Sequence, residues 1–148
     1  MLKTGWLLTF VIAFGTTVAQ SKDHINWQFS SVEQSGSGWK LVFTAKVDRG
    51  WHLYSQSMEE GGPMPTSFTF NASDGYRIVG KTNESGDLKK SYDSTFMMEV
   101  SWYEDQVIFS QKVKLKNRTA VTGNIEYSVC SEEVCIPGIA RFRIDIGN

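Results

Sequence analysis

The 148-residue chain holds two cysteines, Cys130 and Cys135, with the four residues Ser131-Glu132-Glu133-Val134 between them. A thiol pair so close in sequence supports either of two chemistries. It forms an inert bridge across a turn, or it cycles between dithiol and disulfide by exchange with a partner's sulfur. Closing so short a loop stabilises a fold by only about 2 kcal/mol on chain-entropy grounds, so a purely structural staple at this position contributes little. The adjacent carboxylates Glu132 and Glu133 disfavour a thiolate and raise a thiol pKa. The spacing also differs from the Cys-x-x-Cys helix-start motif, so thiol reactivity here has to rest on strand geometry and access.

The compartment follows from the amino terminus. Lys3, the apolar run Gly5 to Gly15 and the small residues Thr17-Val18-Ala19 read as a cleavable secretory signal over residues 1–19, with the mature chain starting near Gln20. A dozen apolar residues are too few for a membrane span, and no second such stretch follows, so the mature chain is expected to carry no membrane span. Export places both thiols where disulfides form and persist. Cleavage leaves 148 − 19 = 129 residues, the size of one domain over 20–148, and removal of Lys3 leaves 14 basic against 16 acidic side chains. That balance, with no basic block, argues against nucleic acid as a partner.

Other chemistries find little support. His24 and His52 are the only histidines, so no zinc triad assembles without the cysteines themselves, and no metal or other cofactor is expected. Met58, Met64, Met97 and Met98 are soft ligands, but a strand at Met97-Met98 uses at least one for packing. No nucleophile elbow or phosphate-cradling glycine loop is present.

The elements that must position the cysteines are strands. Trp39, Leu41, Phe43, Ala45 and Val47 alternate with mostly polar neighbours, and Asp48-Arg49-Gly50 turns the chain. Phe68 and Phe70 continue the pattern. Phe96, Met98, Val100 and Trp102 form the next alternating stripe, then Val107 to Leu115, Val121 to Val129, and Ala140 to Ile146. No window carries a helical stripe. An all-β antiparallel sandwich is the expected architecture, with a closed barrel as its competitor. Two stretches break the rhythm: Ser55 to Pro65, with two glycines and two prolines, and Lys81 to Ser91, polar and charged around Gly86. Both read as loops, either plain solvated surface or a cover for the cysteines. Cys130 closes one strand, Ser131 to Val134 connects, and Pro137-Gly138 precedes the last strand, so the sulfurs flank a tight turn within reach of a disulfide.

The segments Gly50-Trp51-His52-Leu53-Tyr54-Ser55, Ser91-Tyr92-Asp93 and Tyr127-Ser128-Val129-Cys130 through Cys135-Ile136-Pro137 resemble the amino-terminal periplasmic domain of the thiol:disulfide interchange protein DsbD, over nearly the whole mature chain. The resemblance implies an immunoglobulin-like sandwich in the periplasm. It implies a donor, a thioredoxin-like domain or membrane electron transporter, and as acceptor an exported disulfide isomerase or cytochrome c maturation factor. Cys135 would be the exposed cysteine that forms the mixed disulfide with a partner, and Cys130 its resolving mate. His52 and Tyr54 match aromatic positions near the family's site, with ordinary strand packing as the alternative, and Pro137 closes the cysteine motif. The family caps its cysteines with a loop, which counting back from Tyr92 places at Asn83, Glu84 and Ser85. No aromatic stands at that tip, which leaves a looser cap or a covering role for Leu88 or Tyr92. The better-known members space their cysteines by five residues against four here. They also continue into membrane helices and a thioredoxin-like domain, so a chain ending at Asn148 would need a separate donor. The competing reading is a secreted binding or adhesion module in which Trp51, Trp102 or Tyr103 contacts a ligand and the bridge is inert.

Overall fold

A computed structural model describes residues 23–147, and the expected signal sequence over 1–19 lies outside the described residues. Alternating apolar and polar residues become strands throughout: β1 (Ile25–Gln34), β2 (Gly38–Val47), β3 (His52–Tyr54), β4 (Ser67–Phe70), β5 (Tyr76–Gly86), β6 (Lys89–Asp93), β7 (Met98–Tyr103), β8 (Gln106–Leu115), β9 (Thr119–Cys130) and β10 (Cys135–Ile146). All pairings are antiparallel. One sheet runs β1-β2-β8-β5 and the other β10-β9-β3-β7-β6, with β4 alongside the middle of β9. Two separate sheets decide against the closed barrel. No helix among the described residues is long and apolar enough to cross a membrane.

A period of two sends every second residue to one face, and the inward faces of the two sheets close on each other. β2 contributes Leu41, Phe43, Ala45 and Val47; β8 contributes Val107, Phe109 and Val113; β9 contributes Val121, Ile125, Tyr127 and Val129; β10 contributes Phe142, Ile144 and Ile146. Phe43 is fully buried at the centre, with the Phe142 ring 4.9 Å away, Phe68 at 5.0 Å and Phe29 at 5.9 Å between centroids. Interlocked rings of this kind fix how the sheets sit on one another, because aromatic pairs add geometric preference to buried area. Gln111 is the largest of the buried polar side chains among the described residues. Its amide donates to the carbonyls of Val79, Gly80 and Lys112 and accepts from Thr82 Oγ1, so it satisfies the backbone where β5 bulges between Val79 and Asn83.

Three readings of the sequence need correction. Lys81 to Ser91 is not one loop, because β5 runs to Gly86 and β6 begins at Lys89. Both are edge strands, which need no second apolar face and tolerate charge, so their polar composition hides them. Pro137 and Gly138 lie inside β10, opposite Ser128 and Tyr127, and do not precede it. An edge strand accommodates proline's missing donor, and the absent Gly138 side chain leaves room for the Tyr127 ring. Phe96 belongs to the turn before β7, where Met97 takes a left-handed φ of 54°. The stretch Ser55 to Pro65 is irregular, as its glycines and prolines lead one to expect.

Candidate redox site

β9 ends at Cys130 and β10 begins at Cys135, and the two residues are direct cross-strand partners. Their sulfurs are joined, with 4.0 Å between Cα atoms. Direct partners in an antiparallel ladder already stand at about 4.5 to 5.5 Å, so the hairpin brings the thiols together without help from the rest of the fold. The turn beyond them is closed by Ser131. Its N–H donates to the Val134 carbonyl at 2.8 Å, and its Oγ accepts from Glu133 N–H at 3.2 Å and Val134 N–H at 3.3 Å. A hydroxyl accepting from the backbone two and three residues on is a common way to stabilise such a turn.

The two cysteines differ sharply in exposure. Val129 points into the core, so Cys130 points to the outer face of its sheet, where a residue would ordinarily meet water. It is nonetheless 1% exposed. A second, smaller apolar cluster of Tyr54, Val100 and Cys130 forms there, with Met58, Met98 and Trp102 packed against it. Ser128 Oγ lies 3.6 Å from the Cys130 sulfur. Cys135, across the same bridge, is exposed.

His52 is the cross-strand partner of Cys130 on β3, and its ring stands edge-on to Tyr54 at 5.0 Å and tilted to Trp102 at 5.8 Å. Burial holds its imidazole below the ordinary value, against an opposing pull from the Glu104 carboxylate. Burial raises the Tyr54 phenol, with Asp93 adding to the effect. Glu104 is held in its charged form by the Trp102 indole N–H at 3.1 Å and by Lys89, whose Nζ lies 3.0 Å away. His52, Tyr54, Trp102 and Glu104 line an open cleft of about 470 Å³, which Trp51, Tyr92, Asp93 and Glu132 also border. Among the described residues, no group of three or more His, Cys, Asp or Glu side chains is placed to hold a metal ion.

The comparisons with known proteins bear on this arrangement. The family model described as thiol:disulfide interchange protein DsbD, N-terminal, matches residues 18–145, which include both cysteines and all but the last residue of the strands that carry the site. The chain belongs to the DsbD N-terminal family. It is accordingly a thiol-disulfide interchange domain, and its sandwich is of the immunoglobulin-like kind. Solved structures agree on the fold. The N-terminal periplasmic domain of ScsB from Proteus mirabilis superposes with a TM-score of 0.63 at 20% identity, over 83% of this chain and 47% of that one. This chain thus spans about half the length of that ScsB structure. The complex between the DsbD N-terminal and PilB N-terminal domains from Neisseria meningitidis gives 0.58 at 15% identity, over 89% and 90% of the two chains. The DsbD N-terminal domain of the same organism in its reduced form gives 0.55 at 14%, over 84% and 86%. No curated protein matches the sequence.

The positions inferred from the DsbD resemblance fall into two groups. His52, Tyr54 and Tyr92 line the cleft, Tyr92 with 66% exposure, and Pro137 stands two residues past Cys135 on β10. Glu84 does not line it. The segment Asn83 to Ser85, expected to cap the cysteines, is part of β5 in the other sheet, where Glu84 is the cross-strand partner of Phe109. Its carboxylate accepts from Ser55 Oγ and from Gln56 N–H. Leu88 also lies outside the lining. Of the aromatics considered for a binding module, Tyr103 is in the core at 2% exposure, while Trp51 and Trp102 are half-buried in the cleft. Sequence reasoning missed the apolar cluster around Cys130, in which Tyr54 and Val100 are buried with it and Met58, Met98 and Trp102 pack against them. The available signal was the stripe Met98-Val100-Trp102, which lies on the outer face while Tyr103 on the same strand turns inward.

Proposed function

We propose that this domain, exported to the periplasm after loss of residues 1–19 and acting as a single unit over 20–148, carries reducing equivalents from a thioredoxin-like donor to disulfides of exported proteins. The donor is a thioredoxin-like domain or membrane electron transporter, and the acceptor a disulfide isomerase or cytochrome c maturation factor. The observation that carries this reading is the unequal exposure of one bridged pair, Cys135 open and Cys130 covered. An inert bridge has no need of such asymmetry, whereas exchange has to choose which sulfur is attacked.

The chemistry runs in two halves. A donor thiolate attacks the Cys135 sulfur in line with the bridge, the Cys130–Cys135 bond breaks, and Cys130 leaves as a thiolate that takes a proton. The donor's second thiol then attacks its own sulfur in the mixed disulfide and releases Cys135. Two electrons and two protons have passed, and the donor is left oxidised. In the second half the Cys135 thiolate attacks an acceptor disulfide, and Cys130 attacks Cys135 to restore the bridge and release the reduced acceptor. The complex between the DsbD N-terminal and PilB N-terminal domains from Neisseria meningitidis supports a protein partner for this domain.

The test is trapping in the periplasm. Cys130→Ser leaves Cys135 able to form a mixed disulfide that nothing resolves, so covalent complexes with a partner should accumulate. Cys135→Ser should give none. Complexes formed equally through either cysteine would refute the assigned roles, and none through either, with both variants folded, would refute the exchange reading.

A further inference from the structure

The cover over Cys130 has an anchor in the opposite sheet. After β3 the chain runs through Ser55, Gln56 and Ser57 to Met58, which packs against the Cys130 cluster. Ser55 is fully buried, and its N–H donates to the Ser101 carbonyl at 3.0 Å. Its Oγ donates to Glu84 Oε1 and accepts from Ser57 N–H at 3.0 Å. Glu84 Oε2 accepts from Gln56 N–H at 2.9 Å, and Gln56 Nε2 donates to the Thr82 carbonyl at 3.3 Å. Beyond these, Ser101 Oγ donates to the Ser57 carbonyl at 3.3 Å, and Ser101 N–H lies 3.5 Å from Met58 Sδ. One carboxylate thus receives two adjacent donors of a segment that has no ladder of its own. Hydrogen bonds to a charged acceptor are the stronger kind, and here they are partly shielded from water.

The surroundings keep that carboxylate in place. Tyr103, buried in the core, is near the same carboxylate, and burial together with the Glu84 charge pushes its phenol far above the ordinary value, so it keeps its proton. The bulge in β5, satisfied by Gln111, lies immediately before Asn83 and resets the strand's register ahead of Glu84.

We propose that Glu84 is a positioning residue for the exchange reaction: it latches Ser55 to Met58 across the two sheets, so that Met58 keeps the Cys130 sulfur covered and attack is confined to Cys135. The inference rests on the roles proposed above for the two cysteines. It assigns the covering function to Met58 on the segment after β3, with the carboxylate of β5 as its fastening. Loss of the latch leaves the core and the hairpin ladder intact and frees the cover alone, which is a local opening.

The experiment is site-resolved alkylation of the reduced full-length mature chain with iodoacetamide, following Cys130 and Cys135 separately by peptide mass. In the unaltered protein Cys135 should react much faster than Cys130. Glu84→Ala should raise the Cys130 rate by about ten- to a hundredfold, the loss of charge-assisted hydrogen bonds that hold a local cover, and leave Cys135 within about twofold. Glu84→Gln, which keeps an acceptor, should give a smaller rise. Met58→Ala should raise the Cys130 rate to a similar level, and Glu84→Ala with Met58→Ala should add nothing further. An unchanged Cys130 rate in a folded Glu84→Ala protein overturns the proposal, as does a double variant in which the effects multiply. If Glu84→Ala does not fold, Ser55→Ala is read by the same ratio and decides in the same way. Equal rates at both cysteines in the unaltered protein would instead overturn the underlying assignment of Cys130 as the covered sulfur.

Discussion

Reducing the Cys130–Cys135 bridge should leave the domain folded and lower its stability by about 2 kcal/mol. The figure follows from the loop that the bridge closes, whose ends are 5 residues apart in sequence. On the chain-entropy account a loop of that size removes about 7 cal/mol/K from the unfolded ensemble, or about 2 kcal/mol at 25 °C. Little else depends on the bond, because the β9–β10 ladder continues for eleven further pairs down to Thr119 and Ile146, and Ser131 closes the turn by itself. Linkage makes the same quantity appear twice. If the bridge stabilises the fold by about 2 kcal/mol, the fold stabilises the bridge equally, and the folded pair's reduction potential lies about 40 mV below that of the unfolded chain. Urea denaturation with and without dithiothreitol measures the first quantity, and glutathione equilibration of native and urea-unfolded protein measures the second. Unfolding on reduction, or a stability loss above about 4 kcal/mol, would refute the reasoning, and so would two routes that disagree beyond their errors.

Further expectations follow from the core and from the cleft. Phe43→Ala removes the ring that Phe29, Phe68, Phe70 and Phe142 surround, and should cost about 3 to 5 kcal/mol by urea titration. A loss under about 1 kcal/mol would mean that the rings are not interlocked as described. Gly123→Ala would place a Cβ 2.0 Å from the Thr69 carbonyl oxygen and 2.6 Å from the Phe142 ring, so β4 must move off β9. The expected cost is about 3 kcal/mol or more, with amide-exchange protection lost first in Ser67–Phe70. His52, whose folded-state pKa lies below the unfolded 6.5, binds its proton less readily when folded. Its contribution is therefore intact above that value and declines as pH falls through it toward the folded pKa. His52→Gln should show a shallower loss of urea midpoint between about pH 7.5 and pH 5.5 than the unaltered protein, and equal slopes would contradict this.

The cysteine site was legible in part because its geometry is local. Two cysteines separated by four residues at a strand end leave the chain few alternatives to a hairpin, and Cys130 and Cys135 are indeed cross-strand partners. The long alternating stripes of β2, β8, β9 and β10 were equally plain, since each has one face in the core and one in water. β5 and β6 were hidden for the opposite reason. Their charged and polar residues lie along sheet edges, where hydrogen bonding to β8 and β7 decides the conformation and side-chain pattern does not. β3, with three residues, is too short to show a period. Which sulfur is covered could not be read from spacing or periodicity; only the DsbD resemblance implied that Cys135 is the exposed one, and it is. The cover over Cys130 comes from Tyr54, Met58, Val100 and Met98, brought together only when β3 and β7 pair beside β9. Glu84 was singled out for a cap directly over the cysteines. Its position in β5 takes it out of the cleft lining, and its hydrogen-bond partners are Ser55 and Gln56.

The central claim is that the Cys130–Cys135 pair is a working redox couple, and its reduction potential tests this most directly. Equilibrating the mature domain with glutathione buffers and trapping free thiols should give a value of roughly −270 to −120 mV, the range of proteins that exchange disulfides. A value below about −300 mV would mark a structural bridge and contradict the account.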